Sequence, residues 1–192
     1  MTEQLADAAA AMIDDATLVA RAKREPKAFA PLYVRYYDRV YAYCYRRLGN
    51  PEDAADATSL IFSRVLAALP NCREESFRSW LFSIAHNVLV DTYRSRKLDR
   101  PIDDAFEVID RAPSPEDEAI AADAKATVTR LLAGLSEEQR SVLELRLAGL
   151  TSKEIAAVLG KQANAVDQMQ FRAMTKLKLL AQSAGSWTEG PQ

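Results

Sequence analysis

The chain has 192 residues, of which 48% are hydrophobic, and its formal net charge is −2. This length and composition fit one medium domain or two small ones with ordinary packed cores. The longest apolar run is far shorter than the roughly 18 residues that cross a bilayer, and the N-terminus is acidic where a secretory signal needs positive charge. We therefore predict a soluble, cytoplasmic protein without membrane insertion.

The cysteines and the histidine give little support to metal or nucleophile chemistry. Cys44 and Cys72 are 28 positions apart with no CxxC motif, and His86 is the only histidine. The pattern predicts no metal site, no catalytic residue and no cofactor, because a structural zinc or a Cys/His pair needs more ligands or partners. We expect both cysteines to be buried as small apolar groups.

Charge is distributed unevenly along the chain. Residues 21–100 contain 15 Lys and Arg against nine acids, a net charge of +6, and residues 127–182 contain eight bases against five acids, a net charge of +3. Between them, residues 101–126 contain two bases against eight acids, a net charge of −6. Two basic blocks separated by an acidic segment indicate two anion-binding domains on a tether.

The first basic block begins with helical patterns. Residues 1–16 are alanine-rich and acidic, and we expect them to be frayed or loosely helical. A short helix is predicted over residues 18–30, interrupted by Pro26. An apolar stripe at helical spacing, more typical of a core than of a cofactor site, then predicts a helix that Gly49 ends. The stripe consists of Phe29, Leu32, Tyr33, Tyr36, Tyr37, Val40, Tyr41, Cys44 and Leu48.

A second helix start follows at once. Asn50, Pro51 and two acidic residues form a capping signal, and Pro70 predicts an end near Leu69. Leu60 and Phe62 interrupt the polar side of this helix. Such exposed apolar groups indicate a protein partner, although a third helix of the same domain would explain them equally well.

A polar loop and a longer helix complete the first block. The loop, residues 71–75, has a composition that suits either a pocket for an unstacked base or an ordinary surface turn. Residues 76–97 carry an apolar stripe that predicts a helix. Its other face brings Asn87, Asp91 and Arg94 together, with His86, Arg96 and Lys97 nearby. That face suits an anionic partner or, alternatively, plain solvation with favourable charges at the helix end.

The second block predicts four helices after a linker. Residues 99–126 contain Pro101, Pro113 and Pro115 without a sustained period, which is typical of a linker. After a helix over residues 127–135, the segments that begin Ser136-x-x-Gln139 and Thr151-x-x-Glu154 are capping boxes. A short helix, a glycine turn and a longer helix indicate a helix-turn-helix, although structural helical hairpins share the pattern.

Together these segments resemble a known family. The words AFAPLYVRYYDRVYAYCYRRLGNPEDAADAT, FRSWLFSIAHNVLVDTYRSRK and GLTSKEIAAVLGK resemble the second and fourth conserved regions of bacterial RNA polymerase sigma factors. The two-domain layout is similar to the extracytoplasmic-function (ECF) group of the sigma-70 family. The resemblance implies an all-α fold with an N-terminal helical bundle and a C-terminal four-helix helix-turn-helix domain, joined by a flexible acidic linker. The expected segments are an extension 1–17, a region-2-like domain 18–98, the linker 99–126, a region-4-like domain 127–182 and a tail 183–192.

The resemblance also implies partners and site residues. It predicts binding to core RNA polymerase through the β′ clamp and the β flap, binding to promoter DNA, and binding to an anti-sigma factor. The flap contact is expected near Leu143 and Leu147. The residues expected at the core polymerase are Asp56, Thr58, Ser59, Phe62 and Arg64. The residues expected at the −10 element, where a base would be flipped out, are Asn71, Arg73, Ser76, Arg78, His86, Asn87, Asp91, Arg94, Arg96 and Lys97. The residues expected at the −35 element are Lys153, Asn164, Asp167, Gln168, Gln170, Phe171, Arg172 and Lys176.

Several positions depart from the family pattern. Leu60 stands where the family usually has a glutamate, which predicts a weaker charged contact with the clamp. Asp167 and Met169 replace basic residues in the expected reading helix. Asn164, Gln168 and Gln170 are then the candidates for base edges, because asparagine and glutamine favour adenine. We therefore expect a −35 sequence that differs from the family's commonest one.

Three classes of function fit these observations. The first is a sigma factor that directs promoter recognition and DNA melting without catalysis of its own. The second is a helix-turn-helix transcription regulator with an N-terminal ligand- or protein-binding domain. The third is an enzyme acting on nucleic acid, with His86 and Asp91 as acid and base, which lacks a second carboxylate cluster or a metal pattern.

Overall fold

A computed structural model describes residues 13–73, 76–99, 132 and 134–185. The chain divides into two compact units, one made mainly of residues up to Glu107 and the other mainly of residues from Val108 onward. Across the described ranges the ordered elements are helices, and no strand occurs among them. The all-α prediction is therefore confirmed. Residues 100–126 of the expected linker 99–126, residues 186–192 of the expected tail 183–192 and most of the helix expected over 127–135 lie outside the described residues.

Helix α1 spans Asp15–Arg24 and begins earlier than the sequence pattern predicted. The side chain of Asp14 caps it by accepting hydrogen bonds from the backbone N–H of Thr17, at 2.8 Å, and from its hydroxyl, at 3.1 Å. A single 3₁₀ turn over Pro26–Phe29 follows. The predicted start at Leu18 was wrong because the apolar period begins only after this polar cap.

Polar contacts tie α1 to α2, which spans Ala30–Leu48. Arg35 donates to Asp15 at 2.6 Å and to the carbonyl of Ile13 at 2.8 Å, and the Tyr36 hydroxyl donates to the same carboxylate. Burial, followed by this hydrogen bond, raises the pKa of Tyr36 above its ordinary value. The described end of the N-terminal extension is thus anchored, whereas residues 1–12 lie outside the described part of the chain.

The core face of α2 is rotated from the predicted stripe. Tyr43 is fully buried although the stripe omitted it, while Tyr33 is 41% exposed. Tyr33, Tyr37, Tyr41 and Tyr45 instead form a row of neighbouring rings along one side of the helix, with centroids 5.3–6.3 Å apart. Gly49 ends α2 with φ of 71°, as predicted, and its amide donates to the carbonyl of Tyr45.

Helix α3 spans Pro51–Ala68 and begins as the capping signal predicted. The Asn50 side chain accepts from the backbone N–H groups of Glu52, at 2.8 Å, and Asp53, at 3.3 Å. A 3₁₀ turn over Leu69–Asn71 leads out of the helix. The bundle's third long helix, α4, spans Phe77–Asp99, one residue later at its start and two at its end than predicted.

An aromatic cluster holds these helices together. Phe29, Tyr36, Phe62 and Phe77 are all buried, and we call them the aromatic cluster. Phe29 lies edge-on to both Phe62 and Phe77 at 6.4 Å, and Tyr36 lies edge-on to Phe77 at 5.5 Å. Phe62 is only 3% exposed and contacts Phe29 and Tyr33, so the alternative that it packs within the domain is confirmed and it does not interrupt the exposed face of α3. Leu60, 43% exposed, does interrupt that face.

The second unit contains the two predicted capping boxes. Helix α5 spans Glu137–Leu147, and Ser136 and Gln139 cap its start reciprocally. Helix α6 spans Ser152–Leu159, where Thr151 and Glu154 exchange backbone and side-chain hydrogen bonds in the same way. Helix α7 spans Ala163–Gly185. Gly149 and Gly160 connect these helices with positive φ values of 90° and 63°.

Within the residues described, no helix is both long enough and apolar enough to traverse a bilayer.

We expect Phe62→Ala to lower the free energy of unfolding of the first unit by about 3–5 kcal/mol, because it removes a ring from the aromatic cluster. All seven tyrosines and one of the two tryptophans lie between residues 33 and 93, so this unit dominates the near-UV circular dichroism of the full chain in urea. Leu60→Ala on the same helix is the control, with an expected loss below about 1 kcal/mol. Equal losses for the two variants would contradict the assigned burial.

Candidate nucleic-acid interface

The outward face of α4 presents polar groups on a fixed support. Asn87 and Asp91 are exposed one helical turn apart, and His86 is half-buried beside them. The His86 ring is anchored on its core side, because its Nδ1 lies within hydrogen-bond distance, 3.1 Å, of the hydroxyl of buried Tyr43. Arg94, Arg96 and Lys97 lie on the same helix, but their side chains are outside the described residues. The described part of the face offers hydrogen-bonding groups on a well-packed helix, which is an arrangement suited to bases or sugars.

Asp91 connects this face with the neighbouring helix. Its Oδ2 lies 3.8 Å from Nη1 of Arg64 on α3, and the two side chains are 63% and 48% exposed. An exposed pair at this distance contributes less than about 1 kcal/mol. The structure thus brings together one residue expected at the −10 element and one expected at the polymerase. Binding of DNA or of the polymerase would need little free energy to separate this pair. His86 contacts Tyr43, and Asp91 contacts Arg64.

The loop before α4 is closed by local hydrogen bonds. The carbonyl of Arg73 accepts from the backbone N–H of Ser76 at 3.1 Å and from its hydroxyl at 3.3 Å. Asn71, Arg73 and Ser76 are exposed, whereas Arg78 is half-buried in the first turn of α4. Three polar side chains therefore line the described part of the loop, and residues 74 and 75 lie outside it.

The residues expected at the polymerase divide between surface and core. Asp56, Ser59 and Arg64 are exposed on α3. Thr58 is 1% exposed and donates its hydroxyl to the carbonyl of Ala54 at 2.7 Å, while Phe62 belongs to the aromatic cluster. Thr58 and Phe62 hold the helix in place from within, and the exposed residues remain available to a partner.

In the second unit, α7 presents the residues expected at the −35 element. Asn164, Gln168, Phe171 and Arg172 share one face by their spacing, and all four are exposed, Phe171 by 72%. Asp167 and Lys176 on the same helix and Lys153 on α6 are also exposed. This face combines amide, aromatic and cationic groups, which is the mixture that reads base edges and neutralises phosphates in a major groove.

Gln170 is the exception among the candidates for base reading. It is half-buried, and its Oε1 accepts a hydrogen bond from Nε of Arg146 at 2.9 Å. A bidentate pair with adenine needs that oxygen as an acceptor. The prediction that Gln170 addresses base edges is therefore at odds with this arrangement. Nothing local in the sequence signals the contact, because Arg146 lies 24 positions away on α5.

Chemistry of other kinds has little support in the described residues. Among them no group of three or more potential metal ligands occurs. Cys44 and Cys72 are both buried thiols, as expected. Burial raises the pKa of Cys44 to about 11, so that its thiol stays protonated at neutral pH.

Comparison with protein families gives two matches along the chain. Residues 32–98 match the model of sigma-70 region 2, and residues 125–177 match the model of sigma-70 region 4. The chain belongs to the sigma-70 family. In this sigma factor the exposed face of α4 lies in region 2, and the helix-turn-helix of α6 and α7 lies in region 4.

Individual relatives place the sigma factor in the ECF group. It is 34% identical over 153 residues to the ECF RNA polymerase sigma factor ShbA of Streptomyces griseus, covering 73% of this chain and 80% of that one. It is 33% identical over 169 residues to the ECF RNA polymerase sigma factor BldN of Streptomyces coelicolor, covering 85% of this chain but only 64% of BldN. Among solved structures, it resembles CnrH in complex with the cytosolic domain of CnrY, with a TM-score of 0.67 and 29% identity over 88% of this chain and 97% of that one.

We expect Gln168→Ala to relax base preference at one position of the −35 element by about 1–3 kcal/mol, because it removes an amide from the exposed face of α7. The measurement is selection from duplexes randomised in that element by the chain bound to core polymerase. Lys176→Ala is the control, since loss of a phosphate contact weakens binding to all DNA sequences alike. It should also lower the number of ions released on binding, measured from the salt dependence of the affinity, by about one. A uniform loss with Gln168→Ala would contradict base reading.

Proposed function

We propose that this chain is the promoter-specificity subunit of RNA polymerase for one set of genes, and that it performs no catalysis itself. The observation that carries the proposal is the presence of both sigma-70 regions, in order, on two separate helical units. One unit would open the −10 element and the other would bind the −35 duplex. We place this activity in the cytoplasm, where the polymerase acts.

Strand opening is assigned to α4 and the loop before it. Flipping a base out of the duplex costs a few kcal/mol, and a pocket that binds only the correct base offsets this cost selectively. Asn71, Arg73 and Ser76 line the described part of the loop, and Asn87 presents an amide from the adjoining helix. Recognition and melting would then be one step, because the protein binds the base only after it has left the stack.

Attachment to the polymerase is assigned to the exposed face of α3. Asp56, Leu60 and Arg64 lie one turn apart and are exposed, so they would meet the β′ clamp together. In the second unit, Leu147 is 70% exposed at the end of α5, and with Leu143 it would meet the β flap. The acidic linker would extend toward the RNA exit channel, although it lies outside the described residues.

A second protein would hold the factor inactive. The related CnrH was solved in complex with the cytosolic domain of CnrY. We propose an anti-sigma factor for this chain as well, one that covers surfaces the polymerase needs. Its release would make the chain available to the core enzyme.

Leu60→Asp should weaken association with core polymerase about tenfold or more, because it places a charge in the centre of the exposed α3 face. Leu66→Asp is a matched control, since Leu66 is on the same helix and equally exposed, at 44% against 43%, but points about 120° away from Leu60. The measurement is the dissociation constant from purified core enzyme. Equal effects of the two substitutions would contradict the assigned face, and no association of the unsubstituted chain would contradict the proposed function.

Asn87→Ala should reduce open-complex formation while leaving core association unchanged, because the lost amide contacts only melted DNA. Permanganate reactivity of unpaired thymines in the −10 region measures opening directly. A promoter carrying a preformed bubble is the control, and on it the variant should regain most activity if Asn87 acts in melting. Unchanged opening on duplex DNA would exclude Asn87 from the −10 site.

A further inference from the structure

One arginine joins every element of the helix-turn-helix. The Arg146 guanidinium, on the last turn of α5, donates to the carbonyl of Leu150 in the following turn at 3.0 Å and to the hydroxyl of Ser152 at the start of α6. On α7 it donates from Nε to Oε1 of Gln170 and lies 3.8 Å from the carboxylate of Asp167. All three guanidinium nitrogens are thus engaged.

The contacts of Arg146, Ser152 and Asp167 form a closed ring of interactions. Ser152 accepts a hydrogen bond from Arg146 and donates its own proton to Oδ1 of Asp167, so that the first residue of α6 is bonded to both neighbouring helices. We call Arg146, Ser152, Asp167 and Gln170 the Arg146 network. The Arg146 side chain is 32% exposed, which leaves its bonds partly shielded from water. A planar guanidinium that binds several groups at once fixes their mutual orientation, which a single ammonium group does not do.

Two of these residues lie on the helix expected to read DNA. Gln170 has its acceptor oxygen turned toward Arg146, and Asp167 has its carboxylate bonded to Ser152. An unpaired carboxylate there would repel phosphates, and a second glutamine amide would compete with Gln168 for bases. The network reduces the repulsion from Asp167 and turns the Gln170 amide oxygen toward Arg146.

We propose that Arg146 is a positioning residue that sets −35 specificity from outside the reading helix. It withdraws Gln170 from the DNA and leaves base reading to Asn164 and Gln168. This inference rests on the proposed function, because it concerns the same DNA site. Arg146 itself touches no base; its effect passes through the orientation of α7 and through the side chains that it holds.

The test uses the full chain bound to core polymerase and duplexes randomised in the −35 element. Gln170→Ala alone should leave the selected motif unchanged, because Gln170 does not read bases while Arg146 holds it. Arg146→Lys keeps the positive charge but loses the planar guanidinium that binds several groups at once. It should shift the base preference at one or more −35 positions by at least about fivefold. Combining the two substitutions should remove the part of the shift that comes from the released Gln170 amide.

Glu138→Gln is the matched control. Glu138 on α5 pairs with Lys161 in the turn before α7 at 2.6 Å, so it links the same elements without touching a residue of the network. This substitution should leave the motif unchanged, and urea unfolding of each variant checks that Arg146→Lys acts beyond any loss of stability.

Each outcome has a separate meaning. A motif altered by Gln170→Ala alone would show that Gln170 reads bases directly and would overturn the proposal. An unchanged motif with Arg146→Lys would also overturn it, as would an equal shift with Glu138→Gln. Absence of any selected motif with the unsubstituted chain would instead contradict the proposed function, and with it the positioning role of Arg146.

Discussion

Burial of the aromatic cluster decides which surfaces of the first unit are exposed. Phe29, Phe62 and Phe77 come from three different elements, and their edge-on contacts fix the rotation of α3 and α4 about their axes. With the apolar side of α4 turned inward, Asn87 and Asp91 necessarily face outward. The polar face assigned to promoter opening is therefore a consequence of ring packing on the opposite side of the same helix.

The second unit is organised by polar contacts. Reciprocal caps and left-handed glycines set the start and end of its short helices, and the Arg146 network sets the orientation of α7 against them. Helix α6 has only eight residues, too few to be stable alone. Its ends are instead defined by the Thr151 and Glu154 exchange and by Gly160. A small helical unit with a modest core thus obtains a definite geometry from hydrogen bonds at the start of α6 and along α7.

Local signals in the sequence predicted most helix boundaries, while contacts between distant residues were out of reach. Asn50, Gly49 and Ser136 act on their own neighbours, so pattern alone located them. The burial of Phe62, the contact of His86 with Tyr43 and the hydrogen bond from Arg146 to Gln170 depend on partners 24 or more positions away. The predicted start of α1 was wrong for another reason, because its capping residue precedes the apolar period from which the helix was predicted.

On helix α3, the residues that stabilise the fold and the residues that are exposed to a partner lie on different sides. Thr58 and Phe62 face inward, so a change at either alters folding and every function that depends on it. Asp56 and Leu60 face outward, so changes there can tune affinity for a larger partner while the domain keeps its stability. Substitutions at a few outward positions on one helix can therefore change binding strength independently of folding.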